Sequence, residues 1–322
     1  MEKVACVTGA SGFIASWLVK LLLERGYTVR ASVRDPDNVP KTAHLMALPH
    51  AKERLHLFKA DLLEEGSFDA ALDGCTVVFH TASPCFFTTD NPQKDLIDPA
   101  VKGTRNVLNA CVKAKSIKRV VVTSSMAAVV NSPYRNQEDV LDESFFSDPG
   151  YRRQNKSWYA LSKIEAELEA WKLAKEHGLD LVTINPGMVI GPLLQPALNT
   201  TSELVLKLID GSTSTYANAA YGWVHVRDVA EAHILAYEVA EASGRYLCVE
   251  SVMHYERIVE ILCPLYPDLP IPTKCADEVS PRDPGYKVCT DKVKGLGLVY
   301  TPIEDTLKDC VQSLMKRGFL KA

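Results

Sequence analysis

Apolar positions in this chain follow two rhythms that alternate through its first half. Short runs of consecutive or β-branched apolar residues at 4–8, 28–33, 55–60, 77–81, 119–124 and 181–184 predict strands. Between them lie longer stretches where apolar side chains return every three or four positions, the spacing of one helix face. The helix predicted over 13–23 carries Phe13, Ile14, Trp17, Leu18, Leu21 and Leu22 on such a face and stops at Gly26. Further helices are predicted over 95–114 and 159–177. The run Val120-Val121-Val122 has no polar alternate. Such a strand is covered on both faces and belongs in a parallel sheet. The β-α-β-α alternation therefore predicts an α/β fold, a doubly wound parallel sheet with right-handed crossovers.

The rhythm changes after Pro186, where prolines interrupt shorter elements. We expect residues 1–185 to form the nucleotide-binding domain. Residues 186–322 are expected to form mainly a smaller C-terminal substrate lobe, with about 223–240 returning to the main sheet.

Bulk properties narrow the function classes. Of the 322 residues, 47% are hydrophobic and 24% charged, enough for one large core or two smaller ones. A net charge of -4 argues against a nucleic-acid surface. No apolar run has the length of a membrane span, and the N-terminus lacks the pattern of a signal peptide. Cytoplasmic residence is the expectation, as a monomer or weak homodimer without membrane partners. Nine scattered cysteines without a C-x-x-C pair read as reduced thiols, and the eight histidines have no metal-ligand spacing. No metal is expected.

Candidate chemistry begins at Thr8-Gly9-Ala10-Ser11-Gly12-Phe13-Ile14-Ala15, between a strand and a helix. Gly9 permits a tight turn, Gly12 allows backbone approach to a pyrophosphate, and Ala15 is small enough for helix and strand to pack closely. The helix N-terminus offers free N–H groups to phosphate. The second strand ends Val33-Arg34-Asp35, with Lys41 after a short loop. Two cations against one carboxylate favour a 2′-phosphate, hence NADP(H). Asp61, with Leu62 beside it, is placed to meet adenine or else to cap a helix. Tyr159-Ala160-Leu161-Ser162-Lys163 is a Y-x-x-x-K at a helix start. That spacing puts phenol and ammonium on one face, and a nearby ammonium lowers a phenol's pKa. Leu161, Ile164, Leu168 and Trp171 form a separate core stripe, leaving Tyr159 and Lys163 free for a cofactor. Ser124-Ser125 ends a strand where such sheets bind ligands. A serine there can donate to a carbonyl oxygen; Ser125 is favoured and Ser124 is the alternative.

Together these features resemble the extended short-chain dehydrogenase/reductases, with a Rossmann fold. The plant branch of dihydroflavonol reductases, cinnamoyl-CoA reductases and phenylacetaldehyde or cinnamyl-alcohol-type reductases is the nearest in pattern. The resemblance spans nearly the whole chain, through VTGASGFIASWLVKLLL, LFKADLLEEGSFD, GCTVVFHTASP, RVVVTSSMAAV, WYALSK and LVTINPGMVIGPLLQP. It implies Ser125, Tyr159 and Lys163 as the catalytic set. For NADP(H) it implies Thr8, Gly9, Ser11, Gly12, Phe13 and Ile14 at the loop, and Arg34 with Lys41 at the 2′-phosphate. Asp61 and Leu62 fall at adenine, and Thr81, Ala82 and Ser83 at the nicotinamide ribose. Pro186, Gly187, Met188 and Val189 fall at the carboxamide, and Ser202 at a phosphate. Phe86, Phe87, Met126, Met188 and Tyr221 look like substrate-pocket lining. Cinnamoyl-CoA reductases usually carry N-W-Y-C-Y-G-K, whereas this chain has Ser157-Trp158-Tyr159-Ala160-Leu161-Ser162-Lys163. The chain therefore looks more like the aldehyde-reducing members, acting on a small aromatic carbonyl.

Overall fold

The computed structural model describes residues 3–130, 138–277, 279–280 and 282–320. Twelve strands occur among them: β1 (Val4–Thr8), β2 (Thr28–Val33), β3 (Leu55–Lys59), β4 (Val77–His80), β5 (Arg119–Thr123), β6 (Val140–Leu141), β7 (Leu181–Pro186), β8 (Met188–Ile190), β9 (Ala220–His225), β10 (Gly244–Cys248), β11 (Ser251–His254) and β12 (Lys287–Val288). Seven form the main sheet in the order β10-β7-β5-β4-β1-β2-β3. Every neighbouring pair in it is parallel. Stepping outward from β1 in both directions, the chain winds one half-sheet and then the other, as the strand–helix alternation predicts.

Burial explains why the middle strands carry no polar alternate. All residues of β4, β5 and β7 are buried, because helices cover both faces. On one face the helices Phe13–Glu24 and Val226–Glu238 pack together over Val7, Val29, Phe79 and Val121. On the other, Asp98–Lys113 packs against Trp158–His177 over Val78, Val120 and Val122. The buried face of Phe13–Glu24 is Ala15, Leu18, Val19, Leu22 and Leu23; Phe13, Ile14, Trp17 and Leu21 lie at its margin. In Trp158–His177 the predicted stripe fails at Leu168, which is 46% exposed.

The later part of the chain divides its loyalty. A small sheet, β11-β9-β8, packs with the helices Thr200–Ile209, Tyr255–Leu265 and Ile303–Lys316 around Trp223, Ile258 and Leu307. The return to the main sheet differs from the expected 223–240. Within that stretch β9 belongs to the small sheet and only the helix Val226–Glu238 covers the main one. The added strand is β10, bonded to β7. In β10 Tyr246, Leu247 and Cys248 are buried along with Arg245, whose guanidinium is paired with Glu167, so this segment fits the open flank of β7. All nine cysteines are free, and no described helix is long and apolar enough to cross a membrane.

Candidate active site

The main sheet delivers its functional groups at the C-terminal ends of β1, β4, β5 and β7. After β1 the chain turns at Gly9, whose φ of +63° is in the left-handed region. A Cβ there would also lie 3.0 Å from Ala82 Cα, so glycine is required twice over. Gly12 then opens the helix Phe13–Glu24, which has no side-chain cap and no acidic residue in its first turn. Its first N–H groups and positive dipole end are left for an anion. Ser11, Phe13 and Ile14 are half-buried around this opening.

Thr8 stands behind the loop. It is wholly buried, and its Oγ1 accepts from the Thr81 and Ala82 amides at 3.1 Å each. Its proton is then directed to His80 Nδ1 at 3.0 Å, which leaves Nε2–H to face Thr104 Oγ1 at 3.3 Å. Thr81 returns its own hydroxyl to the Thr8 carbonyl. The Thr8 side chain thus locks β1 to β4.

Beyond β2, Arg34 and Lys41 are exposed, and among the described residues neither joins an ion pair. Asp35 turns its carboxylate to the Asp37 amide at 3.2 Å, so the cations face solvent without it. Asp61 accepts from the Leu63 amide at 2.8 Å, a local turn bond rather than a helix cap, since the next helix begins only at Asp69. Leu62 is pressed onto Gly103, where a Cβ would come within 2.7 Å of it. Pro186 ends β7, Gly187 N donates to the Cys248 carbonyl at 3.1 Å, and Val189 is buried in β8. Ser202 is wholly buried beside Cys310 of the C-terminal helix.

At the end of β5 the two serines part. Ser124 donates its hydroxyl to the Glu167 carboxylate. Ser125 Oγ accepts from the Ala127 amide at 3.1 Å and lies on the side of the Tyr159 phenol, whose ionised form it favours. Tyr159 is the second residue of Trp158–His177, and Lys163 follows one turn later. Burial pushes the Tyr159 phenol well above its ordinary value, Cys85 adds to this, and Ser125 opposes it. Lys163 Nζ donates to the Thr123 carbonyl at 3.3 Å and lies 6.0 Å from the Tyr159 ring centre. The expected lowering of the phenol by Lys163 is therefore outweighed by desolvation. The same burial lowers Lys163 itself, against the pull of Cys85 and Glu167.

The substrate side is less uniform than the sequence suggests. Phe87, 45% exposed, meets the Tyr159 ring edge-on at 5.4 Å. Phe86 and Met188 are half-buried, and Tyr221 is 40% exposed with its ring 5.9 Å from Tyr255. Met126 does not line this side. It is 3% exposed in a core with Val129, Leu141, Leu247 and Val249, because the short helix after Ser125 turns it inward. Sequence reasoning missed Cys85 and Glu167. The carbonyl of Cys85 accepts from Thr200 Oγ1 at 3.1 Å, tying the loop after β4 to the second lobe. Glu167 was visible as the residue four beyond Lys163, on the same helix face.

A dinucleotide fits what is present: the uncapped helix start, the glycine-only approach at Gly9, and exposed Arg34. The Ser83 hydroxyl supports this, since it is buried without a hydrogen-bond partner.

Comparison with known proteins agrees with this geometry. The model of the NAD dependent epimerase/dehydratase family matches residues 5–248. The chain belongs to this family. It is 57% identical over 320 residues to cinnamoyl-CoA reductase CAD2 of Medicago truncatula, covering 99% of this chain and 98% of that protein. Its structure is similar to vestitone reductase from alfalfa (Medicago sativa), with TM-score 0.85 and 35% identity over 99% of this chain and 100% of that one. It is also similar to yeast methylglyoxal/isovaleraldehyde reductase Gre2 complexed with NADPH, with TM-score 0.87 and 28% identity over 98% and 99%. Within the family, the chain is an NADP-dependent oxidoreductase of the extended short-chain dehydrogenase/reductase type.

Proposed function

We propose that this protein reduces a small aromatic aldehyde, or a related phenylpropanoid or flavonoid ketone, to the alcohol. The observation that carries this reading is the convergence of Ser125, Tyr159 and Lys163 at the end of β5, beneath the exposed ring of Phe87. NADPH, when bound, supplies the hydride. Tyr159 holds the proton that the carbonyl oxygen needs, and burial keeps that proton in place at neutral pH. The Ser125 hydroxyl donates to the same oxygen as negative charge develops on it. Lys163 contributes a buried positive charge on the Tyr159 face of the helix, and the Thr123 carbonyl fixes its position. Arg34 and Lys41 hold the 2′-phosphate, and Asp61-Leu62 faces adenine. Phe86, Phe87, Met188 and Tyr221 form the apolar walls that accept an aromatic ring. Residues 1–185 carry most of the nucleotide site, and the remainder carries most of the substrate site. The protein works in the cytoplasm as a monomer or weak homodimer, without nucleic-acid partners.

A second reading, reduction of a CoA thioester, is favoured by the 57% identity to a cinnamoyl-CoA reductase. The Ala160-Leu161-Ser162 stretch argues for the aldehyde. Steady-state NADPH oxidation against phenylacetaldehyde, cinnamaldehyde, cinnamoyl-CoA and a dihydroflavonol decides between them. We expect kcat/KM for the best aldehyde to exceed that for the thioester by at least tenfold. The reverse order overturns the aldehyde assignment.

A further inference from the structure

Directly behind the Tyr159–Lys163 face lies a buried charge whose role the proposed reaction leaves unassigned. Glu167 is 2% exposed, one helical turn beyond Lys163. Its two oxygens are saturated by four donors from four segments. Oε1 accepts from Arg245 Nε at 2.6 Å and from Trp171 Nε1 at 3.2 Å. Oε2 accepts from the Ser124 hydroxyl and from Asn185 Nδ2 at 2.9 Å. Asn185 also donates to the Ser125 carbonyl at 3.2 Å, so the same carboxylate reaches the backbone of the serine that contacts Tyr159. Arg245, 5% exposed on β10, is itself held by the carbonyls of Glu143, Phe145 and Ala128 and lies over the Phe146 ring at 3.8 Å.

A buried ion pair is a poor device for stability alone, because desolvating both ions offsets most of their attraction. This one sits where charge matters. Glu167 and Lys163 border the same cavity of about 10 Å³, with Ser83, Thr104, His80 and Ser124, whereas Arg245 does not. The carboxylate therefore lies between the two cations, with the lysine on its open side and the guanidinium behind it.

We propose that Glu167 is a positioning residue that keeps Lys163 charged inside the site and, through Ser124 and Asn185, sets the place of Ser125. The inference rests on the reductase reading above. Burial alone lowers Lys163, and the groups facing it are Tyr159 and Glu167 from its own helix, Cys85 from the loop after β4, and His80 from β4. His80 is held neutral, pushed down to about 3 by burial and by Lys163. It offers no counter-charge; Cys85 exerts the larger pull on the ammonium, and Glu167 is the carboxylate that joins it.

The sign of the effect follows. Removing the carboxylate lowers Lys163 further, so the ammonium loses its proton at lower pH. The alkaline limb of kcat/KM for carbonyl reduction must then move towards acid. The test uses the full-length enzyme and compares wild type, Glu167→Gln, the double variant Glu167→Gln/Arg245→Gln and Tyr159→Phe. For Glu167→Gln we expect at least a tenfold loss of kcat at pH 8 and an alkaline limb about one pH unit lower. NADPH dissociation constants, read by fluorescence titration, should stay within about threefold. Should Glu167→Gln fail to fold because Arg245 is left unpaired, the double variant decides, since it removes that unpaired guanidinium as well. A folded variant of either kind with the wild-type pH profile overturns the inference. Tyr159→Phe separates the two readings: if it keeps near-normal turnover, the catalytic assignment itself fails, whatever Glu167 does.

Discussion

Tyr159 works where burial favours the neutral phenol, which suits a group that must give a proton away. Replacing it with phenylalanine keeps the ring against Phe87 and removes only the hydroxyl. Turnover should fall by about two orders of magnitude or more while NADPH affinity stays nearly unchanged; steady-state kinetics with a fluorescence titration checks both. Arg34 makes a separable prediction. It is exposed, and Asp35 is occupied with the Asp37 amide. Arg34→Ala should raise KM for NADPH about tenfold or more and leave KM for NADH little changed, since a charge-assisted bond to phosphate is lost in one case only. The closeness of Tyr159 and Lys163 was readable from spacing, and the exposure of Arg34 from its place at a strand end. The choice between Ser124 and Ser125 was not, because strand pleat does not say which hydroxyl turns to Glu167 and which to Tyr159. The burial of Met126 was hidden for a related reason: an apolar residue near a site carries the same letter whether it faces the ligand or the core.

The turn after β1 shows how an element is built to be approached. Gly9 combines a left-handed φ with a 3.0 Å limit set by Ala82 Cα, and those two demands arise from different strands. Gly9→Ala should therefore weaken NADPH binding at least tenfold and lower the thermal midpoint by several degrees, as strain in the left-handed region costs about 1–2 kcal/mol. A melting curve with and without NADPH reports both effects. The glycine pattern was legible because backbone geometry is a local property. The interlock of Thr8, His80, Thr104 and the Thr81 and Ala82 amides was not, since Thr8 and His80 are joined only when β1 and β4 pair. The same holds for Glu167, which has its meaning only once Ser124, Asn185 and Arg245 converge from three other strands and strand ends.

Two buried histidines tie the whole molecule to pH. His80 is pushed down to about 3, by burial and then by Lys163, and His233 to about 4, by burial against the Val229 carbonyl bond. In the unfolded chain both titrate near the ordinary value of 6.5. Their folded forms bind fewer protons between those limits, so this part of the stability is fully present above about pH 6.5 and is lost as pH falls towards 3–4. Unfolding at pH 5 should take up about two protons from these sites, which calorimetry in buffers of different ionisation heat can count. The sheet class was legible at this scale from strand–helix alternation alone. The place of β10 was not, since a strand of five residues could pair with any open edge.

That last strand has a consequence for how the protein comes into being. The sheet is ordered in space as β10-β7-β5, but residues 244–248 leave the ribosome some sixty residues after β7. Until then β7 is an open edge, parallel, apolar and ready to pair with another chain. During that interval the helix Val226–Glu238, which closes one face of the sheet, is also missing for much of the time. A nascent chain at this stage carries its whole glycine loop and its catalytic tyrosine, yet its most adhesive surface is uncovered. Its exposure to misassembly is set by the time between those two segments, and a chain cut before residue 244 never leaves that state.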